Sequence, residues 1–344
     1  MIAVESLLNG NRLALARTLT QIENNTPEGR RVLDELFLHT GQAHLVGVTG
    51  ASGTGKSSLV NQLARYYRNP PDGSKPRRVA VVAVDPSSPF TGGAILGDRV
   101  RMRDLSGDPG VFIRSMASRG SLGGLAVATS GVVQALDAAG FELVMIETVG
   151  ARQAEVDIAR LAHTTLVIEA PGLGDDIQAI KAGILEIADI LVINKADRPG
   201  VENTERALKS MLQLAHPVEH VFQNQVAHHQ LYPEQQPANS ADVGEERFWE
   251  IPLTRTVATT GEGVGKLGVF IDQHRAYLKS GGGWSRREKY RLQSELDSLL
   301  QATLVSRWRV SLPKEKYIST LEQVMQRQVS PWQAVKYLLD GSEA

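Results

Sequence analysis

HLVGVTGASGTGKSSLVNQL, residues 44–63, decides how this chain is read. An apolar run, HLVGVT, gives way to Gly50-Ala51-Ser52-Gly53-Thr54-Gly55-Lys56-Ser57, and from Ser58 a helical pattern takes over. The octet satisfies G-x-x-x-x-G-K-[ST], and strand–loop–helix is the setting in which that spacing holds phosphates. Glycines let backbone N–H groups come close to phosphate oxygens, and the N-terminus of the next helix adds partial positive charge. Lys56 is expected to reach the β- and γ-phosphates and the Ser57 hydroxyl to bind Mg²⁺, with Ser58 completing the cradle.

Around this stretch, short apolar runs alternate with helix-like segments from about residue 41 to 278. RVAVVAVD, GVFIRS, FELVMIE, TTLVIEA, ADILVIN and WEIPLT follow HLVGVT in order. Several are apolar on both faces, as strands of a parallel sheet covered by helices on both sides must be. The pattern predicts a doubly wound, mostly parallel α/β domain over 41–279. Residues 1–40 read as an N-terminal helical extension. There Leu7, Leu8, Leu15, Leu19 and Ile22 recur at helical spacing, and Thr26-Pro27 restarts a helix. Ser280-Gly281-Gly282-Gly283 reads as a hinge into a helical arm over 280–344. Leu292, Leu296, Leu299, Leu300 and Leu304 form its stripe, and Ser330-Pro331 opens its last helix.

Composition narrows the classes. Lys and Arg number 37 against 38 Asp and Glu, so no global basic field points to nucleic acid. With no cysteine, disulfides, thiolate metal sites and Cys nucleophiles are excluded together. The N-terminus carries Glu5 within its apolar stretch and no basic region, unlike a signal peptide. No apolar run approaches the roughly 20 residues that span a bilayer. The expectation is a soluble, cytoplasmic protein with no membrane partner.

Two later strands end in acids, Asp85 after RVAVVAVD and Glu147 after FELVMIE. Ligands of open parallel sheets bind beyond the carboxyl ends of strands, so both acids are expected to face the phosphate loop near Mg²⁺. As acids they are also suited to capping the next helix or loop. Glu147-Thr-Val-Gly150 stands where GTPases carry D-x-x-G, and Gly150 can present its N–H to a γ-phosphate. ILVINKAD then delivers Asn194-Lys195-Ala196-Asp197 at a strand end. The Asp197 carboxylate suits guanine N1–H and its N2 amine; adenine has neither donor and would leave the carboxylate unpaired. Lys195 is expected to lie over the base and Asn194 to tie loops together. Ala258-Thr259-Thr260, after the last strand, is a further candidate for contacting the base. The nucleotide indicated is GTP or GDP.

DPSSPFTGGAILGDRVRM (85–102), RGSLGGLA (119–126), ETVGARQAE (147–155), GLGDDIQAIKAGILEIADILVINKAD (172–197) and RLALARTLTQIEN (12–24) together resemble the methylmalonyl-CoA mutase-associated GTPases, the MeaB/ArgK family. The resemblance covers most of the chain. It implies a Mg²⁺-dependent G domain of the signal-recognition and metallochaperone class, with a C-terminal arm that makes a homodimer. It also implies a G-protein chaperone that gates cofactor loading and protects an adenosylcobalamin-dependent acyl-CoA mutase. By position, Asp85, Asp98 and Glu147 match the family's acids around Mg²⁺, and Asp175, Gln178 and Lys181 match its element coupling nucleotide state to the mutase. Where the family usually has G-V-G-Q-S-E, this chain has Gly150-Ala-Arg152-Gln153-Ala154-Glu155. Gln153 and Glu155 are retained. Arg152 has two readings, a charge supplied to the transition state in cis or a solvated helix residue. Lys56, Glu147, Gln153 and Arg152 are the candidates for a role in hydrolysis.

His216-Pro-Val-Glu219-His220 matches a zinc-peptidase spacing, but Pro217 restricts a helix there and no partner motif follows. Residues 216–246 read as a polar surface excursion. Two rival functions are a kinase of a transport protein and a metal-insertion GTPase. No base for a substrate hydroxyl can be named for the first, and no Cys or His-rich terminal tract for the second. Nucleotide selectivity separates the kinase, and metal release on hydrolysis the inserter.

Overall fold

Strand β1 (His44–Thr49) is buried along its whole length and lies fourth in a seven-stranded sheet. The structure is a computed structural model that describes residues 4–86, 102–105, 107–118, 124–148, 152–172, 186–214 and 248–340. The other strands are β2 (Val79–Pro86), β3 (Val111–Ser118), β4 (Leu143–Thr148), β5 (Thr164–Glu169), β6 (Ile190–Ile193) and β7 (Leu253–Arg255). All are parallel, in the order β3-β2-β4-β1-β5-β6-β7. The seven expected strands all form, and the sheet is parallel throughout. β7 is shorter than WEIPLT suggests and begins at Leu253.

Successive side chains of these strands enter opposite cores, because a strand turns alternate residues to opposite faces. Ala80, Val82, Val84, Val144 and Ile146 pack on one face, and Val79, Val81, Leu143 and Met145 on the other. The first face is covered by α5 (Gly124–Ala138) and α6 (Arg152–Leu161) and by residues 4–36. The second is covered by α4 (Lys56–Arg68) and α8 (Val264–Ser280), through Leu59, Leu63, Leu267 and Ile271. Helix α7 (Val201–Leu214) serves the far end, over Leu191 and Ile193. With both faces buried, the strands need no polar alternation.

Residues 4–36 hold three helices, α1 (Val4–Leu8), α2 (Arg12–Glu23) and α3 (Pro27–Leu36). The stretch before Thr26 is thus two helices rather than one. The cause is local: the Asn11 side chain accepts hydrogen bonds from the backbone N–H of Leu13 and Ala14, which starts a new helix. Thr26 caps α3 as expected, accepting from Gly29 N at 3.0 Å with Pro27 in the first turn. Leu7, Leu15, Leu19, Val32 and Leu36 then join the same apolar core as the sheet. Arg12 donates to the carbonyls of Asp108 and Pro109, tying α2 to the approach to β3.

Two compact units divide the chain between Glu295 and Leu296. The boundary falls inside α9 (Gly283–Ser311), whereas the glycines at 281 and 282 only separate α8 from α9. The second unit holds the rest of α9, α10 (Lys314–Met325) and α11 (Pro331–Asp340). Ser330 and Gln333 cap α11 reciprocally: Gln333 N donates to Ser330 Oγ, and Ser330 N donates to Gln333 Oε1.

Candidate nucleotide-binding site

The loop from Gly50 to Gly55 leaves β1 at its carboxyl end, between neighbours β4 and β5, and enters α4 at Lys56. Two glycines are obligatory there. Gly50 has φ 133°, and a Cβ added to it would lie 2.1 Å from the Ile168 carbonyl oxygen. Gly55 is the N-cap of α4 at φ 90°, where a Cβ would lie 2.5 Å from Asn194 Nδ2. Gly55 also brings no side chain to the N–H groups of the first helical turn, the donors a phosphate takes.

Lys56 is buried, and its Nζ donates to the carbonyls of Gly50 at 2.7 Å and Ala51 at 2.8 Å. Its charge is therefore held over the loop by the loop itself. Ser57 Oγ donates to Glu147 Oε1 at 2.6 Å, joining the loop to the end of β4. Glu147 lies opposite Val48 of β1 and Ala83 of β2. Asp85 stands two residues beyond Ala83 on β2, at the same edge of the sheet. A hydroxyl and a carboxylate in contact form an all-oxygen pair, the donor chemistry that suits a hard cation such as Mg²⁺. Among the described residues, no group of three or more His, Asp or Glu side chains is arranged to hold a metal ion.

The N-K-x-D turn, the candidate base loop, follows β6. Asn194 Nδ2 donates to the Thr54 carbonyl at 2.8 Å, and its Oδ1 accepts from Thr256 Oγ1 at 3.2 Å and Ala258 N at 3.1 Å. One buried amide thus fastens the phosphate loop, the base loop and the turn after β7. Lys195 takes a left-handed backbone, φ 56°, and its Nζ donates to the Gly53 carbonyl at 2.5 Å. Such a conformation costs a lysine about 1–2 kcal/mol. Asp197 is exposed on the turn that follows, where Ala196 N donates to the Thr256 carbonyl.

Ala258 and Thr260 direct their N–H groups to Asn194 Oδ1 and the Val257 carbonyl, so both shape the turn. Thr259 and Thr260 are both exposed. Thr256 went unpredicted, although it directly precedes Val257-Ala258-Thr259 and holds Asn194. Arg152 and Gln153 open helix α6 just after β4; their side chains, like that of Asp85, lie outside the described set. Asp98, Gly150, Asp175, Gln178, Lys181 and residues 215–247, including His216 and His220, lie outside the described residues.

A family model described as methylmalonyl-CoA mutase-associated GTPase MeaB matches residues 15–312. A Pyrococcus abyssi protein named as a GTPase is 38% identical over 336 residues, 98% of this chain and 94% of its own. The GTPase ArgK of Escherichia coli is 39% identical over 199 residues, 57% of this chain and 59% of its own. The mitochondrial methylmalonic aciduria type A homolog of Caenorhabditis elegans is 35% identical over 207 residues, covering 56% of this chain and 51% of its own. Among solved structures, a LAO/AO transport system kinase superposes with a TM-score of 0.62 at 24% identity, over 98% of this chain and 95% of that one. That likeness concerns the fold.

Proposed function

The chain belongs to the MeaB family of methylmalonyl-CoA mutase-associated GTPases, and on that premise we propose that it is a GTP-driven chaperone of an adenosylcobalamin-dependent acyl-CoA mutase. The observation that carries the nucleotide half is the Asn194 junction, which joins a phosphate loop to a strand-end N-K-x-D turn. The mutase half is supported by the family and by the long motifs at 85–102 and 172–197.

In the proposed reaction, water attacks the γ-phosphorus of GTP in line, giving GDP and phosphate. Lys56 and the first-turn N–H groups of α4 neutralise charge that develops on the phosphate oxygens. Asp197 reads guanine N1–H and N2, while Asn194 and Lys195 hold the base loop on the phosphate loop. Ser57 and Glu147, with Asp85 and Asp98, would hold Mg²⁺. When bound, the ion draws charge from the β- and γ-phosphates. Gln153 and Arg152, at the head of α6, are assigned to the γ-phosphate side, with Gly150 offering its N–H. Asp175, Gln178 and Lys181 are assigned to passing the nucleotide state to the mutase.

We assign a homodimer through the C-terminal unit. In support, Leu296, Leu299, Leu300 and Leu304 are exposed, a large apolar surface for a chain on its own. A cytoplasmic setting agrees with a cysteine-free sequence, and no helix of the described residues is long and apolar enough to cross a membrane.

The test is GTP turnover with and without purified adenosylcobalamin-dependent acyl-CoA mutases, with ATP as control. Acceleration by one mutase is expected and identifies the client. Turnover indifferent to every mutase removes the partner, and a preference for ATP removes the guanine reading as well.

A further inference from the structure

The amino edge of the sheet, opposite the phosphate loop, carries a buried polar cluster that the proposed hydrolysis does not use. Asp189 immediately precedes β6 and is 2% exposed. Its carboxylate accepts from both Nη atoms of Arg287, at 2.8 and 2.6 Å, and from Thr165 N at 2.8 Å. His274 Nε2 lies 3.4 Å away, and Trp249 Nε1 donates to the Asp189 carbonyl. Arg287 sits one turn into α9. Beside it, Trp284 stacks on His163 with ring centroids 3.9 Å apart, and Glu288 contacts His163 Nε2 at 2.5 Å. His163 in turn accepts from Leu45 N of β1.

Strand β6 has only four residues, all buried, between Asp189 and Asn194. Five residue steps of extended chain separate them by about 16 Å. Extended chain is close to its full length and cannot stretch, so the two ends keep their separation, and Asn194 N to the Glu169 carbonyl and Thr256 N to the Ile193 carbonyl set where the far end lies. The two ends are therefore one mechanical element. At one end a paired guanidinium holds a carboxylate, and at the other stands the turn that presents Asp197.

We propose that the Asp189–Arg287 ion pair is the anchor that sets the position of the guanine-reading turn, which makes Arg287 a positioning residue for base selectivity. The proposal deepens the guanine reading above and rests on it. Two acceptor bonds from one carboxylate to guanine N1–H and N2 demand closer placement than one bond does. A small shift of β6 is therefore expected to weaken the two-bond reading, and the N2 contact is the part of it that a nucleotide comparison isolates.

Inosine diphosphate lacks the N2 amine and otherwise matches GDP, so the ratio of the two dissociation constants reads the anchor. This ratio does not depend on how much of a sample is folded. In Arg287→Ala and Asp189→Asn the preference for GDP is expected to fall about tenfold, the loss of roughly one hydrogen bond, and Arg287→Lys should retain part of it. Glu288→Gln, which alters the neighbouring contact to His163, should keep the wild-type ratio. Where Arg287→Ala does not fold, Arg287→Lys and Asp189→Asn decide. A ratio within twofold of wild type in the anchor variants overturns the proposal, as does an equal loss in Glu288→Gln. A wild-type protein with no preference for GDP over the inosine nucleotide overturns the guanine reading and the anchor with it.

Discussion

At the carboxyl edge of the sheet the chain presents backbone in uncommon conformations, with positive φ at Gly50, Gly53, Gly55 and Lys195. At the amino edge it presents side chains, with His44, His163, Asp189 and His274 all at 2% exposure or less and joined in one network. The first edge is the proposed ligand edge. In the second, Asp189 is paired with Arg287 and Glu288 with Arg291. Buried charges of this kind are costly to uncover, so damage there should appear as instability, whereas damage at the ligand edge should appear as lost binding or turnover.

Acid breaks this comparison most widely, because it reaches the whole amino edge together. Burial pushes the pKa of His44 well down and that of His163 down from the ordinary imidazole value, against the Glu288 contact in the case of His163. Burial alone would raise Asp189, but Arg287 outweighs it and holds the carboxyl at about 2; in Glu288 the His163 and Arg291 bonds likewise outweigh burial, again to about 2. Every one of these groups binds its proton less readily folded than unfolded. Their stabilisation is complete above about pH 6.5 and is lost as pH falls towards 2. Melting temperature followed from pH 7 to 3 should drop, steepening below 4.5, and a flat profile to pH 4 would contradict the network.

Arg287→Ala tests the same edge at one point. It strands a buried carboxylate, and a loss of about 3–5 kcal/mol in urea unfolding is expected; a loss below 1 kcal/mol would mean that Asp189 finds another partner. Lys56→Ala sharpens the contrast from the other edge. GTP turnover should fall at least ~100-fold, and phosphate release at the wild-type rate would take Lys56 out of the chemistry. Asp197→Asn should reduce GTP affinity about tenfold or more, with a matching loss of discrimination against ATP, as read by competition binding. Thr26→Ala touches neither the phosphate loop nor the Asp189 network and serves as the baseline. Losing that cap should cost about 1 kcal/mol with GTP turnover unchanged.

The carboxyl edge was legible because its residues are contiguous. Gly50 to Ser57 and Asn194 to Asp197 each fall in one short run after an apolar strand, and backbone geometry forces that adjacency. Seven strands were legible for a related reason, since burial on both faces leaves near-continuous apolar runs. The amino edge was not. His44, His163, Asp189, Trp249, His274 and Arg287 are scattered over more than 240 positions, and only the sheet brings them together. One signal did exist. Asp189 stands immediately before the wholly apolar β6, where an ionisable group needs a partner from elsewhere in the chain. The leucine stripe beginning at Leu292 drew the eye beyond the first turns of α9, where Trp284, Arg287 and Glu288 bind the sheet. The break before α2 was concealed too, because Leu7, Leu8 and Leu15 keep helical spacing across Asn11.

Lys195 carries one more consequence, for selection. A lysine held at φ 56° strains the backbone where glycine would not and asparagine would less. Any procedure that ranks sequences by folding alone, whether a stability screen or a design calculation on this backbone, should therefore drift towards Gly or Asn at 195. With Lys195 serving the nucleotide as proposed, a library sorted first for stability and then for GTP turnover should reverse its preference there.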